Sequence, residues 1–102
     1  MNKNEIWTHK EVDRFIERLD VARQAKVVNI YDLFRKYGVF LSGKHLKKVA
    51  KNVWELRPGD VRLFLTIEGN KGLVVHGIRK KSRKTPKRDL DLAAKRIKKE
   101  VN

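Results

Sequence analysis

The sequence predicts an α+β domain: two N-terminal helices packed on a small antiparallel sheet, a meander of three or four strands, with a C-terminal helix. Three observations carry that expectation. Apolar residues recur at helical spacing from Val12 to Tyr37. From Val53 they switch to strict alternation, and beyond Pro86 the helical spacing returns. A chain of 102 residues allows one compact unit, so residues 1–102 are read as a single domain.

Each element has its own signal. Thr8 followed by Glu11 has the spacing of a capping box, and Val12, Phe15, Ile16, Leu19 and Ala22 form one helical stripe. A second helix is expected from about Val28 to Tyr37, with Ile30, Leu33, Phe34 and Tyr37 on one face and Gly38 as the stop. Ser42-Gly43 reads as a turn, and Leu46 with Val49 predicts one more helical turn on the core. In the first strand Trp54 and Leu56 oppose Glu55 and Arg57, and Pro58-Gly59-Asp60 makes a turn. In the second, Val61, Leu63, Leu65 and Ile67 oppose Arg62, Phe64, Thr66 and Glu68. Gly69-Asn70-Lys71-Gly72 carries hairpin chemistry. The third strand, Leu73 to Ile78, leaves its facing open, because Val74/His76/Ile78 and Leu73/Val75/Gly77 are both apolar sets. Thr85 then reads as an N-cap with Pro86 at the first helical position, ahead of a stripe of Leu90, Ala93, Ala94, Ile97 and Val101. The helices are expected to cover one face of the sheet and leave the other partly open.

Composition narrows the function. Twenty-six basic against 12 acidic side chains give a net charge of +14 and a pI near 10.4, a field that attracts polyanions. The absence of cysteine removes disulfides, cysteine zinc sites and thiol nucleophiles. No apolar run approaches the ~18 residues of a membrane span, and Met1-Asn2-Lys3-Asn4-Glu5 lacks the apolar stretch of a secretion signal. The acids are scattered without the spacing of a hard-metal cage, so neither a metal nor a cofactor is expected. No helix pair has the short turn and exposed recognition face of a helix-turn-helix. The expectation is a cytoplasmic protein whose partner is a nucleic acid.

Glu55, Arg57 and Arg62 are expected on the open sheet face. One facing of the third strand adds His76 beside them, with Lys80 and Lys81 at its exit. Cations converging on one spot can grip a phosphodiester and stabilise the extra charge of a pentacovalent transition state. RNA brings its own nucleophile, the 2′-hydroxyl, so cleavage needs in-line positioning, charge stabilisation and a proton donor and acceptor. Plainer readings stand beside this one. Arg57 and Arg62 can be cross-strand partners of Glu55 and Glu68. His76 can be a satisfied half-buried histidine, Trp54 a core residue, and His9 and His45 incidental. The run Arg79-Lys80-Lys81-Ser82-Arg83-Lys84 can be a solvated segment that steers phosphates. The residues alone reach a basic α+β domain that binds nucleic acid.

A resemblance carries the reading further. Leu46-Lys47-Lys48, Val53-Trp54-Glu55-Leu56-Arg57, Val61-Arg62-Leu63-Phe64, Val75-His76-Gly77-Ile78-Arg79-Lys80-Lys81 and Lys84-Thr85-Pro86, with Ala93 and Arg96 in a last helix, together resemble the RelE/HigB-type toxins, and more narrowly their phage-derived HigB-like branch. The resemblance covers about residues 44–99. It implies two N-terminal helices on one face of a small antiparallel sheet. It also implies ribosome-dependent cleavage of mRNA in the A site without metal, and a cognate antitoxin as partner in a hetero-oligomer. Arg62 matches the family's phosphate-stabilising arginine and Arg57 its assistant. Lys80 and Lys81 fall where relatives keep a catalytic cation, and His76 fits the branch's His-Gly pair. Glu55 lies where some relatives carry lysine. Lys47, Lys48, Arg79, Lys80, Arg83 and Lys84 are expected to bind RNA. The chain also departs from the pattern. Only Glu5-Ile6-Trp7 is available for the family's N-terminal strand, which must be very short or absent. Ile78 replaces a phenylalanine, and no Tyr or His follows Lys81. The expected mechanism has Arg62, Arg57 and Lys81 on the phosphate, Glu55 or His76 as base and Lys80 or Lys81 as acid. The alternative is a non-catalytic RNA- or ribosome-binding module.

Overall fold

A computed structural model of the chain describes residues 3–101, the side chain of Val101 excepted. The place of Val101 in the last helical stripe, and Met1 and Asn2 of the N-terminal stretch, lie outside the described residues. The elements run β1 (Glu5–Thr8), α1 (Lys10–Glu17), α2 (Val21–Tyr37), a 3₁₀ turn (Gly38–Phe40), β2 (Leu46–Ala50), β3 (Val53–Leu56), β4 (Val61–Glu68), β5 (Lys71–Arg79) and α3 (Lys87–Val101). The strands form one sheet in the order β1-β5-β4-β3-β2. β1 lies parallel to β5 and every other pair is antiparallel. The α+β class stands, but the sheet is five-stranded and mixed rather than an antiparallel meander of three or four strands. The N-terminal strand is short, as its few available residues require.

The two helices divide elsewhere than expected. The N-cap of α1 is His9, whose Nδ1 accepts the Glu11 backbone N–H at 3.2 Å. Thr8 ends β1 instead, and its hydroxyl donates to Asp13. α1 stops at Glu17. The Gln24 side chain then donates to the carbonyls of Ile16, at 2.9 Å, and Glu17, at 3.3 Å, which fixes the break. Ala22 therefore sits in α2 and is exposed. α2 begins seven residues before Val28, because its opening turn, with Val21 and Ala22 exposed, shows no apolar stripe to read. Val27, Ile30 and Phe34 are its buried face, while Tyr37 is exposed.

Leu46 and Val49 belong to strand β2 rather than to a helical turn. Residues three apart share a helix face but oppose each other on a strand. Leu46 accordingly joins the core under α1 and α2, and Val49 packs on the opposite side. Asn52, at φ 60°, turns the chain directly into β3, so this segment pairs with β3 along its length.

β5 resolves its ambiguous facing with a bulge. Phe64 pairs with His76, yet Leu65 pairs with Val74, so Val75 is the extra residue. Leu73, Val75 and Ile78 pack on one face and Val74 on the other, so the strand draws from both apolar sets. Both faces need apolar residues because both are covered. Leu56, Val61, Leu63, Leu65 and Val74 meet Val12, Val27, Ile30 and Phe34 of α1 and α2. Val53, Phe64 and Val75 meet Ala93 and Ile97 of α3. The expectation that the helices share one face is corrected: α3 covers much of the second. It starts at Lys87 rather than at Pro86, with Leu90 partly buried and Ala94 exposed. Among the described residues no helix is long and apolar enough to cross a membrane.

The helices approach the sheet at Gly72 and Gly77. A Cβ on Gly77 would lie 2.6 Å from Phe15 Cδ2, and one on Gly72 would lie 2.9 Å from Phe34 Cζ. We expect Gly77→Ala to lower stability by about 1–3 kcal/mol through overpacking, read as a fall in the urea midpoint. Gly43 has open space around it, and Gly43→Ala should leave the midpoint nearly unchanged.

Candidate functional site

Alternation along β3 and β4 places Glu55, Arg57 and Arg62 on the α3 face, at the end of the sheet that α3 leaves uncovered. Phe64 pairs with Glu55 on one side and with His76 on the other, so one cross-strand row reads Lys47, Glu55, Phe64, His76. Glu55 is 3% exposed. Its Oε1 lies 3.4 Å from Arg57 Nε and 3.5 Å from Arg62 Nε. Its Oε2 accepts a 3.0 Å hydrogen bond from the Thr85 hydroxyl. One buried carboxylate thus balances two guanidinium groups, which offsets the cost of burying like charges side by side.

Arg62 is the more enclosed of the pair, with its side chain 12% exposed against 29% for Arg57. Its Nη1 donates to the carbonyls of Gly59, at 2.6 Å, and Val61, at 2.8 Å. Burial, and secondarily the Arg57 charge, depresses its pKa below the usual arginine value. The Nε of each arginine is buried and makes no hydrogen bond among the described residues. Each Nε lies at ion-pair range of Glu55 and is closed to solvent, so the outer guanidinium nitrogens are the ones a ligand could reach.

Arg57, Arg62, Lys80, Lys81 and Arg83 line one cleft of about 620 Å³, with Asp60 on its rim. The structure brings together Arg62, Arg57, Lys81, Lys80 and Arg83, and Glu55 backs the two arginines. His76 is not among the residues lining this cleft. It is separated from Glu55 by Phe64, on which its ring stacks at 5.8 Å, and α3 covers it. Its Nε2 lies 2.8 Å from Asp89 Oδ1, while Arg96 Nη1 approaches Nδ1 at 3.5 Å and donates to the Val75 carbonyl at 2.9 Å. A tautomer with its proton on Nε2 suits both neighbours. Lys84 and Arg79 line a neighbouring hollow with Arg88 and Asp89. Arg79 also approaches Asp60 at 3.7 Å. Lys47 and Lys48 are exposed on edge strand β2, where Lys48 Nζ lies 5.9 Å over the Trp54 ring.

Several partners escaped the sequence reading. Thr85 reads as a helix cap, yet its hydroxyl is spent on Glu55. Asp89 and Arg96 lie in an amphipathic helix that gives no sign of meeting His76. Asp60 reads as a turn residue. Its carboxylate instead accepts two hydrogen bonds from Arg23, both 2.8 Å, which join the β3–β4 turn to α2. Among the described residues no group of three or more His, Asp or Glu side chains is placed to hold a metal ion.

Two outcomes follow for this cluster. Glu55→Gln keeps the shape but leaves two guanidinium groups unbalanced, and we expect a loss of about 3 kcal/mol in urea unfolding, the low end for a broken buried pair because Arg57 keeps some solvent. The Arg23 hydrogen bonds hold the Asp60 carboxyl down at about 2. A depressed carboxyl pKa contributes stability above its unfolded value, near 3.9, and loses it as pH falls through the folded one. The stability difference between the protein and Asp60→Asn should be constant near neutrality and shrink between about pH 4 and about pH 2, in urea titrations at each pH.

Comparison with known proteins fits this architecture. A chain of the solved structure described as "Crystal structure of archaeal RelE-RelB complex from Pyrococcus horikoshii OT3" superposes with a TM-score of 0.65 at 16% identity, covering 82% of this chain and 100% of that one. At that identity the likeness is one of fold. No curated protein matches the chain. Residues 14–98 match the family described as "Phage derived protein Gp49-like (DUF891)". That match spans most of the sequence and all the residues lining the cleft, and the chain accordingly belongs to the phage-derived Gp49-like family, a RelE/HigB-type toxin family of toxin–antitoxin systems.

Proposed function

We propose that this toxin is an mRNA endonuclease that acts on ribosome-engaged transcripts by 2′-hydroxyl attack on the adjacent phosphorus, leaving a 2′,3′-cyclic phosphate. The observation that carries the proposal is the pair of guanidinium groups held side by side on one carboxylate, in a cleft that Lys80, Lys81 and Arg83 also line. A scissile phosphate entering there meets Arg62 and Arg57 from below and Lys80 and Lys81 from the side. Positive groups fixed before the substrate arrives stabilise the developing dianionic phosphorane without reorganisation. As it attacks, the 2′-hydroxyl gives up its proton to water in the cleft, and Lys81 or Lys80 donates the proton that the leaving 5′-oxygen takes. Glu55 acts chiefly by setting the arginines, because its oxygens already hold two cations and the Thr85 hydroxyl. His76 acts through α3, anchoring the helix to the sheet through Asp89 and Arg96.

The remaining cations, Arg79, Arg83, Lys84, Lys47 and Lys48, extend the positive surface beyond the cleft and suit docking on RNA. An acidic or partly disordered antitoxin, as partner in a hetero-oligomer, would neutralise the same surface. The similar archaeal chain was solved as a RelE-RelB complex, which supports a reading of this kind.

Purified protein incubated with translating ribosomes should cut bound mRNA within coding regions, and the 5′ fragments should end in a 2′,3′-cyclic phosphate. Arg62→Ala should lower the cleavage rate by roughly 10²–10³-fold, the usual cost of one charge-stabilising donor, and relieve growth arrest on induction. Binding without cleavage would select the RNA- or ribosome-binding module instead, and an Arg62→Ala variant with full activity would reject the assigned roles.

A further inference from the structure

Arg57, Gly59 and Arg62 form a ridge with a cleft on each side. The cleft toward Lys80 and Lys81 is the charged one already described. The opposite cleft has a different character. Its volume is about 470 Å³, and it lies between α2, the segment before β2 and the Pro58-Gly59 turn. Its floor is apolar, made by Ile30, Leu33 and Pro58, of which Ile30 and Pro58 are buried. Asn29 and half-buried His45 stand on its walls, and neither side chain makes a hydrogen bond among the described residues. Lys26 and Lys44 mark its rim. Gly59, at φ 62°, keeps the ridge thin: a Cβ there would lie 3.0 Å from Lys26 Cδ and 3.2 Å from Lys26 Nζ.

An apolar floor with a few unspent polar groups is the ordinary make-up of a small-molecule site, and this volume falls in the range of about 300–1,000 Å³ that such sites occupy. Two clefts sharing one pair of phosphate-binding groups match the repeat of a nucleotide, in which a base hangs beside each phosphate. Flat heterocycles stack on imidazole and guanidinium planes, and an amide can donate to and accept from a base edge.

Resting on the RNA reading above, we infer that this second cleft is a nucleobase subsite. It takes the base of the nucleotide whose phosphate Arg57 and Arg62 hold. The base lies over Leu33 and Pro58, stacks against His45, and presents its edge to Asn29. Lys26 and Lys44 then meet the next phosphate along the strand. The charged cleft thus supplies the grip and the apolar cleft supplies the choice of nucleotide.

The test uses the full chain and fluorescent single-stranded hexaribonucleotides, one intact and the others each lacking a single internal base. Oligonucleotides with the gap at each internal position are compared by anisotropy at fixed salt. At one position the missing base should weaken binding roughly tenfold, as expected for one lost stacking contact. In Asn29→Ala and Leu33→Ala, which alter exposed or half-buried side chains, that ratio should fall toward one while binding of the gapped RNA stays the same. Lys81→Ala, which alters the charged cleft alone, should weaken both RNAs equally and preserve the ratio. Equal binding of intact and gapped RNA at every position overturns the subsite but leaves the phosphate site standing. A ratio unmoved by both α2 substitutions does the same. Failure of every RNA, intact or gapped, to bind overturns the subsite, while cleavage of ribosome-bound mRNA decides the phosphate site separately. Circular dichroism of each variant guards against a loss of fold.

Discussion

A single buried carboxylate governs the arrangement of the functional face. Without the negative charge of Glu55, Arg57 and Arg62 would repel each other and turn toward water. With it, two guanidinium groups stay neighbours on adjacent strands, in a setting where desolvation already costs Arg62 part of its preference for the charged form. The balance is incomplete, since two cations face one anion. The surplus charge, carried on groups that can no longer rotate freely, is what makes the ridge receptive to a phosphodiester.

The second face of the sheet is shared between packing and chemistry, and the bulge in β5 is the device that divides it. By placing Val75 and His76 on the same side, it gives α3 an apolar seat and a polar anchor one residue apart. Arg96 takes a carbonyl that the irregular ladder exposes, and Asp89 holds the imidazole. The helix is thereby fixed in rotation as well as position. The Lys80–Thr85 segment between β5 and α3 inherits that placement, which brings Thr85 over Glu55 and Lys81 over the arginines.

Much of this was legible in the residues. The alternation in Val61–Glu68 gave the correct face for every side chain of that strand, because a central strand with both sides packed leaves no freedom of phase. Arg57 and Arg62 were placed correctly for the same reason. The edge strand β2 was not legible: Leu46 and Val49 fit a helical spacing as well as a strand that feeds one residue to each core. The start of α2 was hidden by exposed apolar residues at Val21 and Ala22. His76 shows the limit of reading a strand by alternation alone, since a bulge shifts the phase and leaves no mark in composition. The partners of Glu55 and His76 on the 80–96 stretch are tertiary facts that no local spacing encodes.

The sheet also sets an order on how the molecule can assemble. β2 through β5 are joined by short turns, so each pairing closes only a small loop. The parallel pairing of Glu5–Thr8 with Lys71–Val74 instead joins segments 66 residues apart in the chain, and loop closure grows costlier with such separation. The central ladder that bears the two arginines is therefore the natural nucleus. The amino-terminal strand and its helices then close over that ladder, completing the core that Val61, Leu63 and Leu65 share with Val27, Ile30 and Phe34.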